Sequence, residues 1–284
     1  MIRQSKRFAA SLLALALLSG CSGTGAALVK EDAYTSDSKA GNHVYTDVVS
    51  VMPVYGIYEK TDKVQINKDY TDVVAECYTA DGTILYICIP VDDYQKDIDP
   101  ELDLSSVIVS SVMGDYNTMY YSPARRIHGQ LRESSKITDD LADTAGELTL
   151  VYSSIDEEGT PDSENAAAFT QDCAGGDYAY ADIVGIMPAY TLSANNLGGY
   201  SGFICYAEDP DGNELWIHIS LSDYKENFDG NVKSSDYDIA GSTDPVYFDE
   251  PLRIRGGVIF AESVSDGLAD ETQPKVLNFR SADK

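Results

Sequence analysis

Cys205-Tyr206-Ala207-Glu208-Asp209-Pro210-Asp211-Gly212-Asn213-Glu214-Leu215-Trp216-Ile217-His218-Ile219 reads as a β-hairpin. A short strand leads into a turn carrying Asp-Gly, and a strand of alternating apolar residues follows. Pro210 at the second turn position and Gly212 behind it suit a type I turn closed by a left-handed glycine. That geometry closes a three-residue loop and sets Tyr206 opposite Trp216. The same pattern occurs earlier as Cys77-Tyr78-Thr79-Ala80-Asp81-Gly82-Thr83-Ile84-Leu85-Tyr86-Ile87-Cys88-Ile89. The second turn is longer by two residues, and a two-residue insertion preserves the face that each side chain takes. Leu85, Ile87 and Ile89 are therefore expected inward with Cys77, as Leu215, Ile217 and Ile219 are with Cys205. Tyr78 and Tyr86 then share the outer face.

The similarity runs outward from the hairpin in both directions. Tyr45-Thr46-Asp47-Val48-Val49-Ser50-Val51-Met52-Pro53-Val54-Tyr55 matches Tyr180-Ala181-Asp182-Ile183-Val184-Gly185-Ile186-Met187-Pro188-Ala189-Tyr190. Downstream, Arg126-Ile127-His128-Gly129 matches Arg253-Ile254-Arg255-Gly256, and Leu148 to Tyr152 matches Lys275 to Phe279. A period of about 130 residues is domain-sized, far longer than the repeat of a solenoid or propeller. The chain reads as an internal duplication, with 43–154 as one domain, 178–284 as the other and 155–177 as an acidic linker. Each half carries five short strands, which argues for an all-β class. Val107 to Val112 is an apolar run able to form an extra strand in the first half only.

Strand count, a glycine in the fourth strand (Gly129, Gly256) and a long connection between strands three and four together resemble an OB-fold. The resemblance implies two tandem five-stranded barrels whose ligand face lies on strands two and three. Tyr78, Tyr86, Tyr206, Trp216 and His218 fall on that outer face. They suit stacking on a sugar, a peptide or an aromatic ring, or cross-strand packing beneath a loop or the other domain. Arg126, Arg253 and Arg255 suit either an anion clamp or pairing with neighbouring carboxylates.

Residues 1–20 read as a targeting segment. Arg3, Lys6 and Arg7 precede the apolar run Phe8 to Leu18, which is too short to span a bilayer. Leu18-Ser19-Gly20-Cys21 resembles the lipobox of bacterial lipoproteins. The resemblance implies cleavage after Gly20, lipidation of Cys21 and palmitate among its acyl chains, hence a cell-membrane anchor on the extracytoplasmic side. Residues 21–42 are expected as a flexible tether with a reach of roughly 25 Å.

The formal net charge is −27. So acidic a surface repels phosphate backbones, which argues against nucleic acid as a partner, and it repels anionic lipid. Cys77 and Cys88 face opposite ways, and Cys205 stands where Cys77 does, so unpaired thiols are expected. Asp209, Asp211, Asn213 and Glu214 lack the spacing of a calcium loop. Ser222-Asp223-Tyr224-Lys225 lacks the companions of a penicillin-binding motif. His43, His128 and His218 form no zinc or triad spacing. No catalytic residue, metal set or cofactor motif is singled out. The expected role is binding or scaffolding at the envelope, with a protein, peptide or glycan as partner. The alternative is an envelope hydrolase acting on glycan or peptide.

Overall fold

A computed structural model describes residues 30–58, 70–102, 118–138, 141–162, 165–193, 200–232 and 244–283. The leader, Cys21 and the Val107 to Val112 run lie outside these residues. The first half carries β1 (Asp32–Ala33), β2 (His43–Tyr58), β3 (Tyr70–Thr79), β4 (Ile84–Pro90), α1 (Val91–Asp97), β5 (Met119–Glu133), α2 (Leu141–Ala145) and β6 (Leu148–Ile155). The second repeats the order: β7 (Ala167–Ala168), β8 (Tyr178–Ser193), β9 (Tyr200–Glu208), β10 (Glu214–Ser220), α3 (Leu221–Asn227), β11 (Val246–Phe260), α4 (Leu268–Glu271) and β12 (Lys275–Ala282).

Strands β2-β3-β4-β6-β5 close on themselves through a β2–β5 pairing, and β8-β9-β10-β12-β11 close through β11–β8. The third and fifth barrel strands run parallel in each ring, β4 with β6 and β10 with β12. The remaining ring pairs are antiparallel. The protein is thus all-β, one closed five-stranded design built twice, and compatible with an OB-like fold. The connection between strands three and four holds α1 or α3.

The hairpins follow their turn chemistry. Gly82 (φ +88°) and Gly212 (φ +81°) take the left-handed conformation. Their amides donate to Thr79 O and Asp209 O, and Thr79 and Asp209 pair with Thr83 and Asn213. Tyr206 opposes Trp216, Cys205 opposes Ile217 and Cys77 opposes Leu85. Cys77, Leu85, Ile87 and Ile89 fill the first barrel's interior, and Cys205, Ile217 and Ile219 the second's. Cys77, Cys88, Cys173 and Cys205 are free thiols. Tyr94 of α1 and Tyr224 of α3 are driven fully into the two interiors.

Gly129 and Gly256 sit at register breaks in the fourth strand of each barrel. A Cβ at Gly129 would stand 2.3 Å from Val151 O, and one at Gly256 2.0 Å from Asn278 O. The neighbouring backbone approaches too closely for any side chain.

Short segments within the expected tether and linker pair with the barrels. From Glu31 onward the described residues belong to one compact body. β1 pairs in parallel with β2, and β7 with β8, at the same register. The amides of Tyr34 and Phe169 donate to Tyr45 O and Tyr180 O. Thr35 to Asn42 and Thr170 to Asp177 then form the same turn. Ser38 Oγ accepts from the Thr35 amide at 3.0 Å, and Cys173 Sγ accepts from the Thr170 amide at 3.4 Å. Asn42 accepts from Lys39 N at 2.9 Å, and Asp177 from Ala174 N at 2.8 Å. Cys173 is therefore the counterpart of Ser38, a thiol standing in a hydroxyl's place. Each repeated unit opens with a short strap strand, β1 or β7, which leaves roughly residues 157–166 between the paired segments of the two units.

The two barrels pack through unlike faces. Barrel one presents the tip of its first hairpin and the start of β5. Ser122 Oγ donates to Gly176 O at 3.0 Å, Tyr120 OH to Ser263 O at 3.0 Å, and Gly175 N to Ala80 O at 3.2 Å. Arg280 donates to Tyr120 O at 3.2 Å. Tyr78 stacks on Phe260 with centroids 6.0 Å apart. Barrel two receives these groups between its strap turn and the C-terminal end of β11. Gly257 leaves room for Ser122, because a Cβ there would lie 2.6 Å from that side chain.

Candidate functional site

The five candidate ring residues do lie on the outer faces of strands two and three, and packing engages all of them. Tyr86 OH donates to Glu76 Oε2 at 2.6 Å. Tyr86 packs against the buried cluster of Val74, Leu141 and Ala145, so α2 lids that face of barrel one. Tyr78 is 8 % exposed beneath Phe260. Burial, followed by the charges of Glu76, Glu262 and Asp266, pushes its phenol up to about 12. In barrel two, Trp216 packs with Leu192, Val264 and Leu268 under α4. Its ring meets Tyr206 at 5.8 Å and Tyr190 at 6.0 Å, and its Nε1 donates to Glu214. His218 contacts the Tyr120 ring of barrel one at 5.3 Å and places Nδ1 3.1 Å from Asn278 Oδ1. The two faces are small outer cores sealed by α2, by α4 and by the barrel–barrel contact.

The three arginines are engaged too. Arg126 grips Asp47 with Nε at 2.8 Å and a second nitrogen at 2.9 Å; Arg253 grips Asp182 with both at 2.7 Å. Each guanidinium also lies over a tyrosine ring, Tyr45 at 4.4 Å and Tyr180 at 4.1 Å. The repeated Tyr-x-Asp of the first strand thus forms a bidentate, stacked clamp with the repeated Arg of the fourth. Arg255 pairs with Asp283. At the matching place His128 stands between Glu31 at 2.7 Å and Asp156 at 3.2 Å. Asp47, Asp182, Tyr45 and Tyr180 escape sequence reasoning as partners, although the aligned Tyr-x-Asp was the available signal.

Hydrogen bonds from Arg253, and then its charge, hold the Asp182 carboxyl below the usual carboxylate range against the opposing pull of burial. Asp182 in turn raises Arg253. A depressed folded-state pKa contributes stability that is complete above the ordinary carboxylate pKa and is lost as pH falls through the folded value. Both side chains are at least a third exposed, so solvent screens the pair. Asp182→Asn is expected to lower the melting temperature by about 1–2 °C at neutral pH. The gap should close as pH falls below about 4. A gap that widened on acidification, in melts followed by circular dichroism, would contradict this assignment.

Barrel one carries two open grooves. One, of about 190 Å³, runs between the strap and the hairpin tip beside Tyr34, Tyr45, Asp47, Thr79 and Asp81. The Thr79 hydroxyl, followed by the Thr83 amide, lowers the Asp81 carboxyl, while Asp47 is held by Arg126. The other, of about 270 Å³, lies between the strap turn and the end of β5. Among the described residues, no group of three or more His, Cys, Asp or Glu side chains is placed to hold a metal ion. Among them also, no helix is long and apolar enough to cross a membrane. No protein-family model matches the chain, and no curated protein matches it.

Proposed function

We propose that the chain is a lipid-anchored extracytoplasmic lipoprotein that serves as a binding or scaffolding body at the bacterial envelope. The observation that carries this reading is the first 21 residues: a cationic start, an apolar run and Leu18-Ser19-Gly20-Cys21 in that order. The Cys21 thiol would carry the diacylglyceryl group, and two or more acyl chains suffice for stable attachment. The duplicated barrels support the scaffolding half. Their tight mutual packing, their carboxylate-bound arginines and their surface grooves suit presentation of a fixed surface to an envelope protein, peptide or glycan. The acidic charge disfavours nucleic acid as that partner.

The test is fractionation of a bacterial host expressing the full chain in medium containing labelled palmitate. The parent chain should sediment with membranes and carry label; Cys21→Ala should carry none and leave the membrane fraction. Unlabelled parent chain, or Cys21→Ala still sedimenting with membranes, would refute the anchor.

A further inference from the structure

The barrel–barrel contact is heterologous, so one copy of each of its two faces is left over. The repeat correspondence shows which. Tyr120 opposes Ser50 in β2, and Tyr247 opposes Gly185 in β8 at the same register position. Tyr120 is docked on barrel two, whereas Tyr247 is 74 % exposed. Tyr206, the counterpart of docked Tyr78, packs on Trp216 of its own barrel and lies near Tyr247. On the receiving side, Gly176 N and Val258 N bond to Val258 O and Asp177 O as Gly41 N and Leu131 N bond to Leu131 O and Asn42 O. Gly257, Phe260 and Ser263, which accept barrel one, therefore correspond to Gln130, Glu133 and Lys136. Those three, with Ala40, Gly41 and Arg132, line the open groove of about 270 Å³ on barrel one.

The leftover faces differ in charge. The presenting face of barrel two is rimmed by exposed Glu208, Asp211, Asp249 and Glu250. The receiving face of barrel one carries Arg132 and Lys136 beside one anion, Glu133, which Lys136 meets at 3.9 Å. The groove is therefore net cationic in a chain of formal net charge −27. Opposed fields of this kind set register and raise the association rate.

We infer that this chain assembles head to tail with further copies of itself, Tyr247 and the acidic rim of one copy seating in the Gln130–Lys136 groove of the next. The contact uses the faces equivalent to those that join the two barrels within one molecule, with Gln130, Glu133 and Lys136 where the internal contact has Gly257, Phe260 and Ser263. Being heterologous, it propagates to rings or open arrays instead of stopping at a two-fold dimer. It depends on the lipid anchor in no way.

The test is sedimentation velocity of the full chain in a non-ionic detergent over a broad concentration series. The mass-average size should climb with concentration to at least about twice the monomer and fall back as salt is added. Tyr247→Asp spoils the presenting face alone, and Lys136→Glu the receiving face alone. Both sites are exposed, so melting temperatures within about 2 °C of the parent are expected. Each variant alone should be monomeric, and their mixture should recover a dimer that grows no further, because each supplies the face the other lacks. A parent chain that stays monomeric throughout would overturn the inference. So would variants that assemble as the parent does, including by sharing a micelle, or a mixture that fails to pair.

Discussion

Gly256→Ala is expected to be among the most damaging single-methyl additions in the chain. The new Cβ would lie 2.0 Å from Asn278 O, 2.7 Å from its carbonyl carbon and 3.2 Å from Phe279 Cα, all backbone atoms. No side-chain rotation relieves the clash, so β11 must move off β12 at the register break between Arg255 and Gly256. The expected loss is about 3 kcal/mol or more, a fall in melting temperature of at least roughly 6–12 °C. Gly129→Ala should behave alike, its Cβ 2.3 Å from Val151 O. Gly146→Ala is the control: its φ is +71° and nothing lies within 4 Å of the added carbon. It should lose only the left-handed penalty, about 1–2 kcal/mol. Thermal unfolding of the three chains by calorimetry settles the order, and equal losses at Gly146 and Gly256 would refute the close-approach argument.

Removing a barrel plug should be as severe. Tyr224 is 1 % exposed and meets Phe203 edge-on at 5.3 Å and Phe228 at 5.5 Å. Tyr94 holds the matching place, fully buried with Ile98, Leu102 and Tyr121 in the same core. Tyr224→Ala or Tyr94→Ala is expected to lose about 3–5 kcal/mol through lost transfer energy and a residual cavity. Tyr94→Phe should do no harm, since the Tyr94 hydroxyl is buried with no hydrogen-bond partner among the described residues. Dropping an unmatched buried hydroxyl is neutral or gains about 1 kcal/mol. Denaturant titration distinguishes these outcomes, and a Tyr94→Phe loss as large as that of the alanine variant would show that the hydroxyl matters more than the ring.

The hairpin register was legible because three signals agreed: period-two alternation, turn residues with left-handed glycines, and a second copy with an even-numbered insertion. Gly129 and Gly256 were legible as a bend because a glycine recurs in the fourth strand of both copies. The strap strands were not, since two residues carry no periodicity. Their trace is only Ala33-Tyr34-Thr35 against Ala168-Phe169-Thr170, at equal distance before Tyr45 and Tyr180. The face of the candidate aromatics followed from alternation, whereas its cover did not. That cover comes from α2, α4 and a barrel contact, each distant in sequence from the rings it shields. Arg126 and Arg253 stood out as repeated charges, yet each finds its aspartate more than 70 residues away across a barrel seam.

The strap turn also fixes where the gene can be divided. Each complete unit opens with its two-residue strand and ends just past its fifth barrel strand, where Asp156 and Asp283 close on Arg126 O and Arg253 O through their amides. Cuts at 43 or 178 would shear off that opening piece and strip the first strand of a neighbour. The few residues between Asp156 and Ala167 are where the chain can be lengthened, nicked or exchanged while both modules stay whole.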